Sequence, residues 1–203
     1  MRNAARAEAR TIEWETPRPS SRASPLGSWC VRPIVNASRS SLEPKILLGL
    51  TLAQIALALV YLPRLPAQVA THFGPSGAAD AWSPRGGLVI GVVVVAAIMH
   101  AVFLLSARLT RWTNDDLVNL PHKAYWLAPD RRETTMRRIE RHVIRMGIAT
   151  QTLLFLVEQR VLAANVAGTG LGSTVWIYTT VYLTILTLGI VAMVREFATV
   201  PTA

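Results

Sequence analysis

Gly87–Leu105 reads GLVIGVVVVAAIMHAVFLL, apolar almost throughout and free of charge. A helix needs roughly 17–25 such residues to cross a hydrocarbon core about 30 Å thick, so the stretch predicts a membrane span. Three further runs fit the same reading: Ile46 to Leu62, Ile148 to Ala164 and Val175 to Val194. The last is the cleanest, with Trp176 near one end and Arg195-Glu196 closing the other. The third is interrupted by Glu158 and Arg160. Any one run suits a soluble core helix, but four in a chain of 203 residues are hard to bury against one another. The expectation is an all-α membrane protein with four transmembrane helices, short outer loops and a basic amphipathic inner loop.

The chain is 51% hydrophobic and yet carries a formal charge of +9, so its charges must be segregated. Arg2, Arg6, Arg10, Arg18, Arg22, Arg32, Arg39 and Lys45 precede the first span, and a second basic group from Arg108 to Arg145 lies between the second and third. The loop after the first span holds only Arg64 and Arg85, and the segment Asn165 to Ser173 has no basic residue. Lys and Arg are retained on the cytoplasmic side, which places both termini and the middle loop inside a bacterial plasma membrane and the first loop outside. Juxtamembrane arginines are explained by the anionic inner leaflet, and nucleic-acid binding has no support.

Three regions follow. Residues 1–45 form a basic arm rich in Arg, Ala, Ser and Pro, expected to be disordered. Glu13, Glu15 and two prolines between Thr11 and Arg22 argue against a cleaved signal. Cys30 is the single cysteine, so neither an internal disulfide nor a cysteine metal site is expected, and the sequon Asn36-Ala37-Ser38 would face inward unmodified. Residues 46–194 form the membrane domain, with an outer loop at 63–86 and an inner loop at 106–147, and 195–203 is a short tail.

The outer loop concentrates chemistry. Pro66, Gly74, Pro75, Gly77 and Pro84 favour a compact turn, Phe73 and Trp82 suit the headgroup level, and His72 is near enough in sequence to Asp80 to pair across the fold. His72, Phe73, Asp80 and Trp82 are the candidate ligand-binding surface; the alternative is that they only fix the turn. In the inner loop, Asp130 is expected to cap a helix from Arg131, with Glu133 completing a capping box. Met136, Ile139, Val143 and Met146 fall on one side among arginines, a basic amphipathic pattern suited to lying at the inner leaflet and leading into the third span, with Tyr125 and Trp126 as anchors. The alternative is a docking surface for a cytoplasmic regulator, made of Tyr125, Trp126, Arg131, Arg132, Arg137 and Arg138.

Ionisable and polar residues inside spans are functional candidates by default. His100 suits a hydrogen bond to a neighbouring helix, and Glu158 and Arg160, near an outer end, suit snorkelling to the interface. A transporter reading would instead make Glu158 a proton or cation site and His100 a relay. One His and one Asp are too few for zinc, and no His-Glu-x-x-His, Gly-x-Ser-x-Gly or phosphate-binding loop is present, so neither metal, cofactor nor enzymatic activity is expected.

Leu65-Pro66, His72-Phe73-Gly74, Gly77, Asp80, Trp82 and Arg85 resemble the signature of a membrane domain of unknown function found in SdpI-type bacterial immunity proteins. Ala70 departs from it, where many relatives have Pro. Asn119 to Leu127 and the run Ala128-Pro129-Asp130-Arg131-Arg132-Glu133-Thr134 resemble a second segment of that family, with Asp130 in place of Glu. The resemblance covers about Leu47 to Val143 and implies a multi-pass protein whose relatives protect against a secreted peptide toxin or relay its presence to a regulator. The favoured expectation is therefore non-enzymatic recognition of an extracytoplasmic peptide or ligand. A small transporter and a structural membrane subunit are the rivals, and oligomeric state is left open.

Overall fold

A computed structural model describes residues 42–200. Most of the expectations for the N-terminal arm, including Cys30 and the sequon, lie outside the described residues.

Helix α1, Leu42–Tyr61, opens with Glu43 in its first turn, where the free amides favour an acid. It stops at Leu62-Pro63-Arg64, a single 3-10 turn, because proline cannot continue the α-helical ladder. The outer loop is not irregular. It holds two antiparallel strands, β1 at Gln68–Phe73 and β2 at Ala79–Pro84, paired from Gln68 opposite Pro84 to Phe73 opposite Ala79, with irregular register around His72. This corrects the all-α expectation. Gly77, at φ +80°, makes the turn between the strands, a conformation that glycine adopts without steric cost.

Helix α2, Arg85–Leu109, starts where β2 ends, and Arg85 ties the junction down: its backbone N–H donates to Ala67 and its guanidinium to Leu65 O. The inner connection, 110–131, contains two 3-10 turns and a one-turn helix α3, Lys123–Trp126. Helix α4, Arg132–Ala167, is continuous for 36 residues, about 54 Å at 1.5 Å per residue. Gly168, in the left-handed region at φ 65°, ends it. Helix α5 covers Thr174–Ala198.

One expectation about the start of α4 is overturned. The capping box does not form: Asp130 bonds to the Arg131 guanidinium, and the helix has no side-chain cap. The basic segment leads into the third apolar run as expected, and without a break: no proline or glycine interrupts the chain between Arg132 and Met146, and one helix runs on into the bundle. Of the expected stripe Met136 is buried and Ile139, Val143 and Met146 are half-buried, and Thr135, Ile144 and Gly147 are buried beside them.

α4 is the central element, packed against α1, α2 and α5. An outer cluster of Ala58, Leu65, Val69, Val89 and Leu162 joins α1 and α2 to the hairpin and α4, and an inner one joins Leu47, Ala107 and Ile144. The other faces of α1, α2 and α5 expose Leu52, Leu59, Ile90, Ile98, Ile177 and Leu188, a surface that water would penalise and lipid tails would not. α1 with its 3-10 extension, α2 with the turn that follows it, and α5 are each long and apolar enough to cross a membrane. α4 is not among them, since Glu158 and Arg160 interrupt its apolar run and its first half is rich in arginine.

Candidate functional site

At the hairpin end of the bundle, Asn165 near the end of α4 fixes the hairpin by its backbone. Its Oδ1 accepts from Ala70 N at 2.6 Å and its Nδ2 donates to Ala70 O at 3.0 Å, the pattern of a neighbouring strand. The turn is held too: Leu171 N donates to Gly77 O, and Gly170 lies so close that a Cβ there would meet that oxygen at 2.6 Å. Positioned in this way, His72 Nδ1 and Asp80 Oδ1 pair at 2.5 Å with both side chains largely in solvent. Trp82, two residues along β2 from Asp80, is 62% exposed and borders a recess of about 420 Å³ formed with Pro66, Ala70, Asn165 and Thr169. Phe73 is half-buried at the strand end.

Beneath the hairpin the helices enclose polar groups. Gln151 on α4, fully buried, donates through Nε2 to Thr51 Oγ1 on α1 and to Ala96 O on α2, and its Oε1 accepts from Gln54 Nε2 at 2.9 Å. Because Ala96 O can only accept, the amide orientation of Gln151 is fixed. Thr51 donates its hydrogen to Leu47 O, so the 3.1 Å contact with His100 requires the imidazole to donate from Nδ1. His100 is therefore a cross-link between α2 and α1.

Glu158 departs from expectation. It does not snorkel: it is 7% exposed, and neither carboxylate oxygen has a partner among the described residues. It lines a groove of about 380 Å³ between the helices, together with Gln54, Thr71, Gly87, Gly91 and Leu154. Arg160 does not neutralise it, because two residues of helix rotate a side chain by about 200°. Its Nε is likewise buried without a partner. A signal for this face exists in the sequence: Gln151, Glu158 and Asn165 recur every seven residues along an apolar helix, which places all three on one stripe.

The inner residues form their own cluster. Trp126 is no interfacial anchor. It is buried, donates to Phe197 O at 2.8 Å and packs edge-on against the Phe197 ring, while Thr135 Oγ1 donates to its carbonyl. Tyr125 is covered by the Arg131 guanidinium, 4.1 Å from the ring centre. Arg132 bonds to Asp115 and to Thr113 O, Arg138 to Glu196 at 3.2 Å, and Arg137 to Glu133 on its own helix. His142 also reaches Glu196, at 2.8 Å, and His122 Nε2 lies 3.1 Å from Ala198 O. Arg132, Arg138 and His142 thus tie α4 to the 110–131 connection and to the end of α5. Among the described residues no group of three or more His, Cys, Asp or Glu side chains is arranged to hold a metal ion.

Comparison with known families matches residues 49–99, most of α1 with the hairpin and the first half of α2, to a domain of unknown function, DUF1648. No curated protein and no solved structure matches the chain. The matched segment is that which carries the His72–Asp80 pair and Trp82, so the chain is similar to this uncharacterised domain over its outer hairpin and the two helices that flank it.

Proposed function

We propose that the protein is a non-enzymatic receptor of the bacterial plasma membrane, recognising an extracytoplasmic peptide or ligand through the outer hairpin, with an immunity or signal-relay role. One observation carries this reading: Asn165 and Gly170 fix the hairpin to the bundle by its backbone, leaving His72, Asp80 and Trp82 free to face a partner. A hairpin alone is marginal in water, and docking gives this one the rigidity that recognition requires. α4 completes a four-span bundle, with the ends of the chain on the cytoplasmic side. Its C-terminal end meets the hairpin and its N-terminal half meets the ends of the other helices through Arg145–Glu43, Arg111–Glu140 and Arg138–Glu196. The resemblance to SdpI-type proteins supports a secreted peptide as partner. The exposed Arg141 at the inner end suits the anionic leaflet or a regulator.

A small proton- or ion-coupled transporter is the second reading, favoured by the unpartnered Glu158. Against it, among the described residues no hydrogen bond joins Glu158 to the ladder of Gln54, Gln151, Thr51 and His100.

Photo-crosslinking from a probe at Trp82 in producing cells, with an inner probe at Arg141, tests the receptor reading. A discrete adduct at Trp82 that is lost with His72→Ala is the expected result. An inserted, folded protein that yields no adduct at Trp82 overturns it.

A further inference from the structure

The seven-residue stripe on α4 places three polar side chains in the bundle, and two are satisfied. Gln151 bonds to α1 and α2, and Asn165 to the hairpin. Glu158 lies between them, about 10 Å from each along the helix axis, with both oxygens unpartnered. An orphaned carboxylate in low dielectric is costly, and a buried charge is retained where something pairs with it. The neighbouring polar atoms say what that something is. Gln54 spends its amide hydrogens on Gln151 and on Leu50 O, so what it can still offer the groove is its oxygen. Thr71 Oγ1 donates to Ala81 O, so it too offers the groove an oxygen; groups left free to bind a ligand here are acceptors, and the rest of the wall is glycine and aliphatic side chain.

We propose that the groove under the hairpin binds a small amphiphilic amine, its ammonium group donating to Glu158 and Gln54 while its apolar body lies along Gly87, Gly91 and Leu154. The volume, about 380 Å³, is that of a small-molecule site and excludes a folded peptide. Depth argues for a free amine over a phospholipid headgroup: Glu158 is nine residues before the end of α4 at Ala167, about 13 Å below it. This site lies apart from the exposed hairpin face, and its occupancy does not depend on the hairpin recognising anything.

The test is equilibrium binding of tritiated dodecylammonium to the full chain in nonionic detergent. Wild type is expected to bind saturably, without competition from dodecanol, which has the same chain and no charge. Glu158→Gln keeps the shape and removes the charge, and is expected to weaken binding on the order of a hundredfold. Gly91→Leu is expected to abolish binding with Glu158 intact, because a Cβ at Gly91 meets nothing within 4 Å and the longer side chain fills the groove. Gly189→Leu, equally unobstructed but on α5, is expected to bind as wild type does. Saturable binding that is absent in folded wild type, unchanged in Glu158→Gln or matched by dodecanol overturns the proposal. Displacement by phosphatidylethanolamine overturns it in favour of a lipid headgroup. Should Glu158→Gln fail to fold, Gly91→Leu and the alcohol competition decide. Because this assay does not involve Trp82, its failure and the failure of hairpin crosslinking are separate results.

Discussion

Asn165 is bonded to both polar groups of the Ala70 peptide, in a site where Ala70 is 3% exposed and Asn165 8%. Asn165→Leu fills similar space but leaves a buried N–H and a buried C=O without partners, each costing about 1–3 kcal/mol. The expected outcome is a hairpin that opens locally while the helices stay folded. Hydrogen exchange measures it: amides paired between β1 and β2 should exchange faster by about thirtyfold or more, a loss of about 2 kcal/mol, with α2 unchanged. Equal protection in mutant and wild type would mean that Asn165 does not hold the hairpin. Little of this pairing was legible beforehand. His72 and Asp80 could be matched because both are chemically conspicuous and stand eight residues apart across a turn. Asn165 bonds to backbone, which has no sequence identity, ninety-five positions away. Trp126 misled for a related reason. An indole suits an interface and a buried site equally, and only the carbonyl of Phe197, brought over by the end of α5, decides between them.

Among elements, α1, α2 and α5 could be read directly, since an uninterrupted apolar run has one economical environment. The hairpin could not, because its prolines and glycines read as loop and its strands owe their order to the α4–α5 connection. α4 was misread in its first half, where arginines suggested a surface helix. Three of them, Arg132, Arg138 and Arg145, are instead paired to acids of the 110–131 connection, α5 and α1, while Arg141 stays exposed. Close approach of α2 to α4 rests on Gly147, where a Cβ would fall 2.7 Å from Phe103 Cγ and 2.8 Å from its Cβ. Those atoms are near the backbone and cannot swing aside, so Gly147→Ala forces the helices apart. The expected cost is about 1–3 kcal/mol, seen as a lower denaturation midpoint in detergent. Gly189→Ala on α5 is the control, expected to be neutral or to gain up to about 1 kcal/mol from helix propensity. If both substitutions behaved alike, the packing of α2 on α4 through Gly147 would be wrong.

At the scale of the whole molecule, the question is where α4 lies. Its sequence alone is ambiguous, because Glu158 and Arg160 break the apolar run and the basic first half lowers its average. The arrangement of its contacts argues for a crossing. Gly77 O and Ala70 join the hairpin to the outer end of α4 and the loop beyond it, while Arg111–Glu140 and Arg145–Glu43 join the opposite half to the far ends of α2 and α1. Two helices long and apolar enough to span thus flank a third with matching ends, and its polar stripe is covered by them. In a Cys30→Ser background, Ser76→Cys in the hairpin turn and Thr169→Cys after α4 are both exposed and are expected to react with an impermeant maleimide in intact cells. Asp116→Cys and Arg141→Cys, also exposed, are expected to react only after permeabilisation, in keeping with the arginines gathered on their side. Labelling of Ser76→Cys with protection of Thr169→Cys would place the ends of α4 on one side. It would leave three spans, and it would break the contact between Gly77 and Leu171 on which the docked hairpin depends.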